Sequence, residues 1–170
     1  MDELKWLIAR EIPHLRRYAL ALRRDPDAAD DLVQDCVERA LRKRHLWRRR
    51  GSMRSWLFRI LYTIFLNTNK KRRRDQQTIP LDALAFTLAA SPSQELYVEC
   101  GEMARVLAQL PEQQYTAIML IALEGFSYDE AAWILGIPIG TLRSRLYRGR
   151  EALRMWGAET VRPGRVKRVK

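Results

Sequence analysis

The chain is poor in the residues that carry metal and redox chemistry. Its 170 residues include two cysteines, Cys36 and Cys100, and two histidines, His14 and His45, all far apart in sequence. Scattered thiols and imidazoles make neither a disulfide framework nor a zinc spacing, and they fit a reducing compartment such as the cytoplasm. Runs of alternating β-branched residues are missing, which removes the signature of half-buried strands. No Gly-rich phosphate loop is found. No stretch approaches the ~20 apolar residues of a membrane span. The start, Met1-Asp-Glu-Leu-Lys-Trp-Leu-Ile, carries acids early and lacks the apolar core of a secretory signal. No cofactor, metal, catalytic residue, small-molecule substrate or membrane insertion is therefore expected.

What is abundant is positive charge and helical periodicity. The formal net charge is +11, which points to an anionic partner, most simply nucleic acid. Apolar residues recur at helical spacing almost throughout, so the chain reads as all-α, built from two small helical domains joined by a flexible linker. The first domain covers residues 1–75. Its first helix, to about residue 24, turns Leu4, Leu7, Ile8, Ile12, Leu15, Ala19 and Leu22 inward, with a kink or break expected at Pro13. A second helix spans about 27–43 after the turn Asp25-Pro26-Asp27, and a third about 53–72 after a loop. Residues 76–93 have few charges, two prolines and several small residues, and read as the linker. The second domain, 94–157, holds helices over about 94–110 and 112–124 and then a helix-turn-helix. A basic tail, 158–170, is expected to be disordered.

The helix-turn-helix is the most informative segment. Ser127 and Glu130 have the spacing of a capping box, satisfying two backbone donors at a helix start. Ala131, Ala132, Ile134 and Leu135 form a small apolar face. Gly136 suits the left-handed end of a helix, and Pro138 suits the first turn of the next. Leu142, Leu146 and Leu153 return to the core side, while Arg143, Arg145, Arg148 and Arg150 fall elsewhere on the wheel. That layout places a recognition helix second, as duplex DNA readers do.

The first domain is polarised. From Asp25 to Glu38 the charges are all acidic, and from Arg39 to Arg74 they are all basic. An acidic helix in a basic protein repels DNA and is better explained as a contact for another protein. The basic run is interleaved with Trp47, Trp56, Phe58, Tyr62 and Phe65. Cations that track phosphates, with aromatics that stack on bases, suit single-stranded nucleic acid. Trp56 and Phe65, at helical spacing, are expected in the core. Trp47, in the loop, is the better stacking candidate.

Taken together, these segments resemble the extracytoplasmic-function (ECF) class of bacterial RNA polymerase sigma factors, over nearly the whole chain and in the expected order. Ile12-Pro-His-Leu-Arg-Arg-Tyr-Ala and Asp27-Ala-Ala-Asp-Asp-Leu-Val-Gln-Asp are similar to the region that binds core polymerase. Trp56-Leu-Phe-Arg-Ile, with Asn67 and the cluster from Lys70 to Arg74, is similar to the promoter −10 region. Leu110-Pro-Glu-Gln-Gln, Glu124-Gly-Phe-Ser-Tyr-Asp-Glu-Ala-Ala and the run from Gly140 to Arg150 are similar to the −35 reader. The resemblance implies that Asp31, Leu32, Gln34, Asp35 and Glu38 dock on the clamp coiled coil of the polymerase's largest subunit. It implies that Trp47, Arg48, Arg49, Arg54, Arg59, Asn67, Lys70 and Lys71 handle the −10 strand. Thr141, Arg143, Ser144, Arg145, Tyr147 and Arg148 would lie at the −35 major groove, with Arg143 the candidate for a guanine contact. Promoter DNA and an anti-sigma protein are the further implied partners.

Two positions depart from the family pattern. Thr63 stands where many relatives carry Asn, which puts one −10 strand contact in doubt. Ile121 stands where many carry Arg, which removes a phosphate contact that Arg145 or Arg150 could replace. The residues around Ala131-Ala132 and Asp30-Asp-Leu-Val-Gln-Asp lean toward a general-stress subgroup. Two other functions compete. A stand-alone transcription regulator explains the helix-turn-helix but leaves the first domain idle. An enzyme acting on DNA needs clustered carboxylates with matching histidines or a poised nucleophile, and the only dense acids lie on one helix without them.

Overall fold

The computed structural model describes residues 3–47, 52–75 and 106–160. Among the described residues all regular structure is helical, as the periodicity predicts. Helix α1 (Glu3–Arg23) runs through Pro13 without the expected break. Pro13 and Ala9 both lie on its exposed face. The Ala9 carbonyl, which the proline cannot serve, therefore faces water and the helix tolerates the loss. Helix α2 (Pro26–Arg42) starts on Asp25, whose carboxylate accepts from the Ala28 N–H at 2.7 Å. A short 3-10 turn (Arg44–Leu46) leads towards α3 (Met53–Asp75).

These three helices pack as one unit. Leu15, Tyr18 and Ala19 of α1, Leu32, Cys36 and Ala40 of α2, and Leu57, Phe58 and Leu61 of α3 are buried together. The Cys36 thiol donates to the Leu57 carbonyl at 3.4 Å. Burial pushes that thiol up to about 12, so it packs as a small hydrophobe and is no nucleophile at neutral pH. Outside the core, Arg16 clamps Asp30 with two hydrogen bonds, at 2.7 and 2.9 Å. Trp56 is only partly buried against the core, whereas Phe65 is fully within it.

The second unit begins, within the described residues, with helical residues 106–109. Helix α4 (Glu112–Ile118) follows and widens into a π turn over Met119–Leu123. Helices α5 (Tyr128–Leu135) and α6 (Ile139–Thr160) complete it. The capping box forms as expected: Ser127 Oγ accepts from the Glu130 N–H at 3.3 Å, and Glu130 accepts from the Ser127 N–H at 3.1 Å. Gly136 ends α5 with φ +66, a conformation that strains any residue with a Cβ. Gly136→Ala is expected to destabilise the protein by about 1 kcal/mol. Thermal unfolding should show a midpoint about 2–4 °C lower; an unchanged midpoint would mean that the turn relaxes.

Helix α6 reaches Thr160, beyond residue 157 where the second domain was expected to end. It crosses α4 closely at Gly149, where an added Cβ would come within 2.6 Å of Ile118 Cδ1. The expected linker, 76–93, and most of the expected helix 94–110 lie outside the described residues. The two units are docked on each other and share one continuous core. Tyr18 and Phe58 of the first unit and Phe126 of the second form an aromatic ladder, with centroids 5.3 and 4.8 Å apart. The Tyr115 hydroxyl donates across the junction to the Ala21 carbonyl at 2.9 Å. No helix among the described residues is long and apolar enough to cross a membrane.

Candidate nucleic-acid and partner interfaces

Helix α6 presents the residues expected at the major groove. Leu142 and Leu146 are buried against the unit and fix the rotation of the helix. Thr141, Arg143, Ser144, Tyr147 and Arg148 are thereby turned to solvent, and Arg145 is half-buried. Tyr147 is 68 % exposed, so most of its ring and hydroxyl are open to a ligand. Ser144 Oγ donates back to the Gly140 carbonyl at 3.0 Å, leaving its lone pairs to face outward. Arg150 donates to the Tyr128 hydroxyl at 3.2 Å and ties the end of the reading face to α5.

Helix α2 carries the acidic face. Asp31, Gln34, Asp35 and Glu38 are all exposed. Gln34 donates to Glu38 at 3.3 Å, and Arg42 pairs with Glu38 at 3.5 Å. Leu32, grouped with these residues on sequence, is corrected: it is 2 % exposed and belongs to the core between α2 and its neighbours. It supports the face and cannot touch a partner.

The residues expected at the −10 strand do not form one open surface. Asn67, Lys70 and Lys71 are exposed along the end of α3. Trp47 is half-buried against the core, and its indole N–H has no acceptor among the described residues. Arg48 and Arg49 lie outside the described residues. Arg54 and Arg59 are turned into the second unit. Arg59 donates to the Trp133 carbonyl, and its guanidinium lies 4.5 Å over the Trp133 ring. Arg54 donates to the Glu124 carboxylate at 2.7 Å and to the Glu124 carbonyl at 2.9 Å, and it stacks 4.9 Å over Phe126.

Glu124 is the residue that reading the sequence missed as a centre of contacts. Its side chain is 0 % exposed. It accepts from Arg17 at 2.8 and 3.0 Å as well as from Arg54, while His14 Nδ1 stands 3.7 Å away. Arg17 also donates to the Leu123 carbonyl at 3.2 Å. Around this centre, Glu11 Oε2 faces Arg54 Nε at 3.6 Å, an ion pair too long for a hydrogen bond. The available signal was a single carboxylate ending an otherwise apolar run, Ala117–Leu123, just before a glycine.

Glu130 has a second role beyond its cap, because Ser55 of α3 donates to it at 3.0 Å across the junction. Burial alone would raise its carboxyl. The backbone bond at Ser127, the Ser55 and Ser127 hydroxyls and the charge of Arg54 outweigh that and hold it below the usual range. A depressed folded value stabilises fully above the unfolded value and is lost as pH falls through the folded one. Stability should therefore fall as pH drops below 4.5, the ordinary value for this group. Glu130→Gln should flatten that part of the pH–stability curve; an unaltered slope would remove Glu130 from the account.

Comparison with known proteins agrees with this layout. Residues 8–62 match the family described as the Sigma2 domain of PhyR, and residues 100–153 match Sigma-70, region 4. The ECF RNA polymerase sigma factor EcfG of Rhodopseudomonas palustris is 37% identical over 152 residues, covering 89% of this chain and 83% of that protein. The ECF RNA polymerase sigma factor SigM of Mycobacterium tuberculosis is 31% identical over 148 residues, covering 86% of this chain and 73% of that protein. Among solved structures, the sigma factor RpoE of Bartonella quintana, in complex with the anti-sigma factor NepR, superposes with a TM-score of 0.79 at 32% identity. That match covers 93% of this chain and 98% of that one.

Proposed function

Because the chain belongs to the ECF RNA polymerase sigma factors, we propose that it binds bacterial core polymerase through α2 and brings it to promoters, reading −35 duplex with α6 and −10 strand with α3. The observation that carries this reading is the coexistence, on one chain, of an exposed acidic face and an exposed basic recognition helix. DNA binding alone needs only the second. Asp31 and Asp35 make no ion pair among the described residues, so their charges are available to a basic docking surface. The clamp coiled coil of the polymerase's largest subunit is the proposed acceptor. An anti-sigma protein is the proposed second partner, supported by the NepR complex of the similar sigma factor. The protein would work in the cytoplasm, at the nucleoid once in holoenzyme, and the alternative of a stand-alone regulator leaves α2 without a task.

Gel filtration of the purified chain with core polymerase tests the first half. Co-elution at one-to-one stoichiometry supports it; separate elution at micromolar concentrations contradicts it. For the second half, Arg143→Ala should weaken −35 recognition by ~1–3 kcal/mol and relax specificity at one base position. A promoter panel varied base by base reads this directly. An equal loss on every sequence would make Arg143 a phosphate contact instead.

A further inference from the structure

We infer that this chain carries a small-molecule site of its own, a cleft beside the end of α1 that takes a nucleoside triphosphate, with Arg23 and Arg24 gripping the phosphates. The inference goes beyond the sigma reading and does not depend on it.

Arg24 is strained. It follows the last residue of α1 with φ +56, and among the described residues it is the one non-glycine with a positive φ. Its N–H closes the helix on the Leu20 carbonyl at 2.8 Å. Glycine is the usual residue at such a helix end, because a Cβ is disfavoured in that conformation. Strained non-glycine residues cluster at ligand clamps and active sites. The hydrogen bond that Arg24 makes to the Ala108 carbonyl does not account for the strain. It is 3.5 Å long, beyond the ~2.7–3.2 Å of a good N–H···O bond.

The backbone of Arg24 instead serves to aim its side chain. Its guanidinium lies 5.2 Å over the Tyr115 ring. That of Arg23 lies 5.1 Å over the Phe65 ring and donates to Asn69 Oδ1 at 3.0 Å. In a continuing helix adjacent side chains diverge by about 100°. The left-handed turn breaks that rotation, and both arginines line one cavity of about 340 Å³. Guanidinium groups braced on aromatic rings are partly stripped of water and fixed in direction. That suits a bidentate grip on phosphate.

A second cavity, of about 490 Å³, shares Asn69 and Glu112 with the first. Its walls carry Tyr62, Leu66, Leu135 and Ile137, with Lys70 and Arg145 as its cations. Both volumes fall within the range of about 300–1,000 Å³ typical of small-ligand sites. The first cavity supplies a polar half for phosphates, and the second an apolar half for a base. Among the described residues, four cations and one carboxylate, Glu112, line the pair. The excess of positive charge suits a polyphosphate better than a single anion, and Glu112 is an acceptor for an amino group on the base. A DNA strand must enter and leave, whereas cavities of this size suit one free nucleotide.

The test uses the full chain without polymerase. Isothermal titration calorimetry at fixed ionic strength compares ATP, GTP and inorganic phosphate. ATP or GTP should bind at one per chain, more tightly than inorganic phosphate. Arg24→Gly should weaken that binding about tenfold or more, the loss of a charge-assisted contact. Circular dichroism should show its fold retained, because glycine suits the turn. Arg143→Ala removes the same charge from the exposed face of α6 and should bind nucleotide like the wild type.

Failure of both ATP and GTP to bind at millimolar concentrations would overturn the site, as would wild-type affinity in Arg24→Gly. An equal loss in Arg24→Gly and Arg143→Ala would also overturn it, and would mean general attraction of anions to a basic chain. If Arg24→Gly does not fold, Asn69→Asp decides. It puts a carboxylate on the wall that both cavities share and should weaken nucleotide binding about tenfold. Binding of a single-stranded oligonucleotide that Arg24→Gly abolishes, with no binding of ATP or GTP, would assign the cleft to DNA instead.

Discussion

Phe58→Ala is expected to destabilise the protein by about 3–5 kcal/mol. Phe58 is fully buried on α3 and lies between Tyr18 of α1 and Phe126 of the second unit. Truncation removes its transfer free energy and leaves a cavity walled by two aromatic rings that cannot both collapse into it. Whole domains are stable by only about 5–15 kcal/mol, so at least about a fifth of the total is at stake. Urea titration followed by circular dichroism should show the midpoint fall steeply. The side chain also bridges the two units, so the variant should unfold the first unit while loosening the second from it. A loss under about 1 kcal/mol would mean that the ring contributes little and that the shared core is not a unit.

The double substitution of Asp31→Arg with Asp35→Arg should abolish binding to core polymerase while the fold survives. Both side chains are exposed on α2, one turn apart. Neither takes part in the core, so reversal adds no buried charge. The helix dipole objects only mildly, since both positions lie beyond the first turn. At a desolvated interface, reversing two charges replaces attraction by like-charge contact, which costs several kcal/mol. Circular dichroism should be unchanged and gel filtration with polymerase should show no complex. Unchanged binding by a folded double mutant would remove the acidic face from the docking site.

Much of this was legible in the residues. The Ser127–Glu130 cap, the Gly136 terminus and the buried Leu142 and Leu146 follow from local chemistry, because each needs only neighbours within a turn or two. The acidic and basic blocks were legible as charge order alone. Leu32 shows the limit of motif reading: it lies inside the acidic segment, yet helical periodicity turns it 100° away from Asp31 and into the core. Pro13 shows another, since solvent exposure of its face decides whether a proline breaks a helix. The docking of the two units was not legible. It depends on Arg17, Arg54 and Glu124, which are up to 107 positions apart and meet only once both units have folded. Nothing in their local spacing distinguishes an arginine of the junction from one that faces DNA, so Arg54 read simply as one more cation on a basic helix.

The most direct measurement is run-off transcription with purified bacterial core polymerase on a genomic fragment library, with and without this protein. A sigma factor predicts discrete new start sites whose alignment yields two conserved elements upstream, one for α6 and one for α3. Gel-shift binding to duplex DNA with no new start sites would contradict the account and leave a DNA-binding regulator in its place.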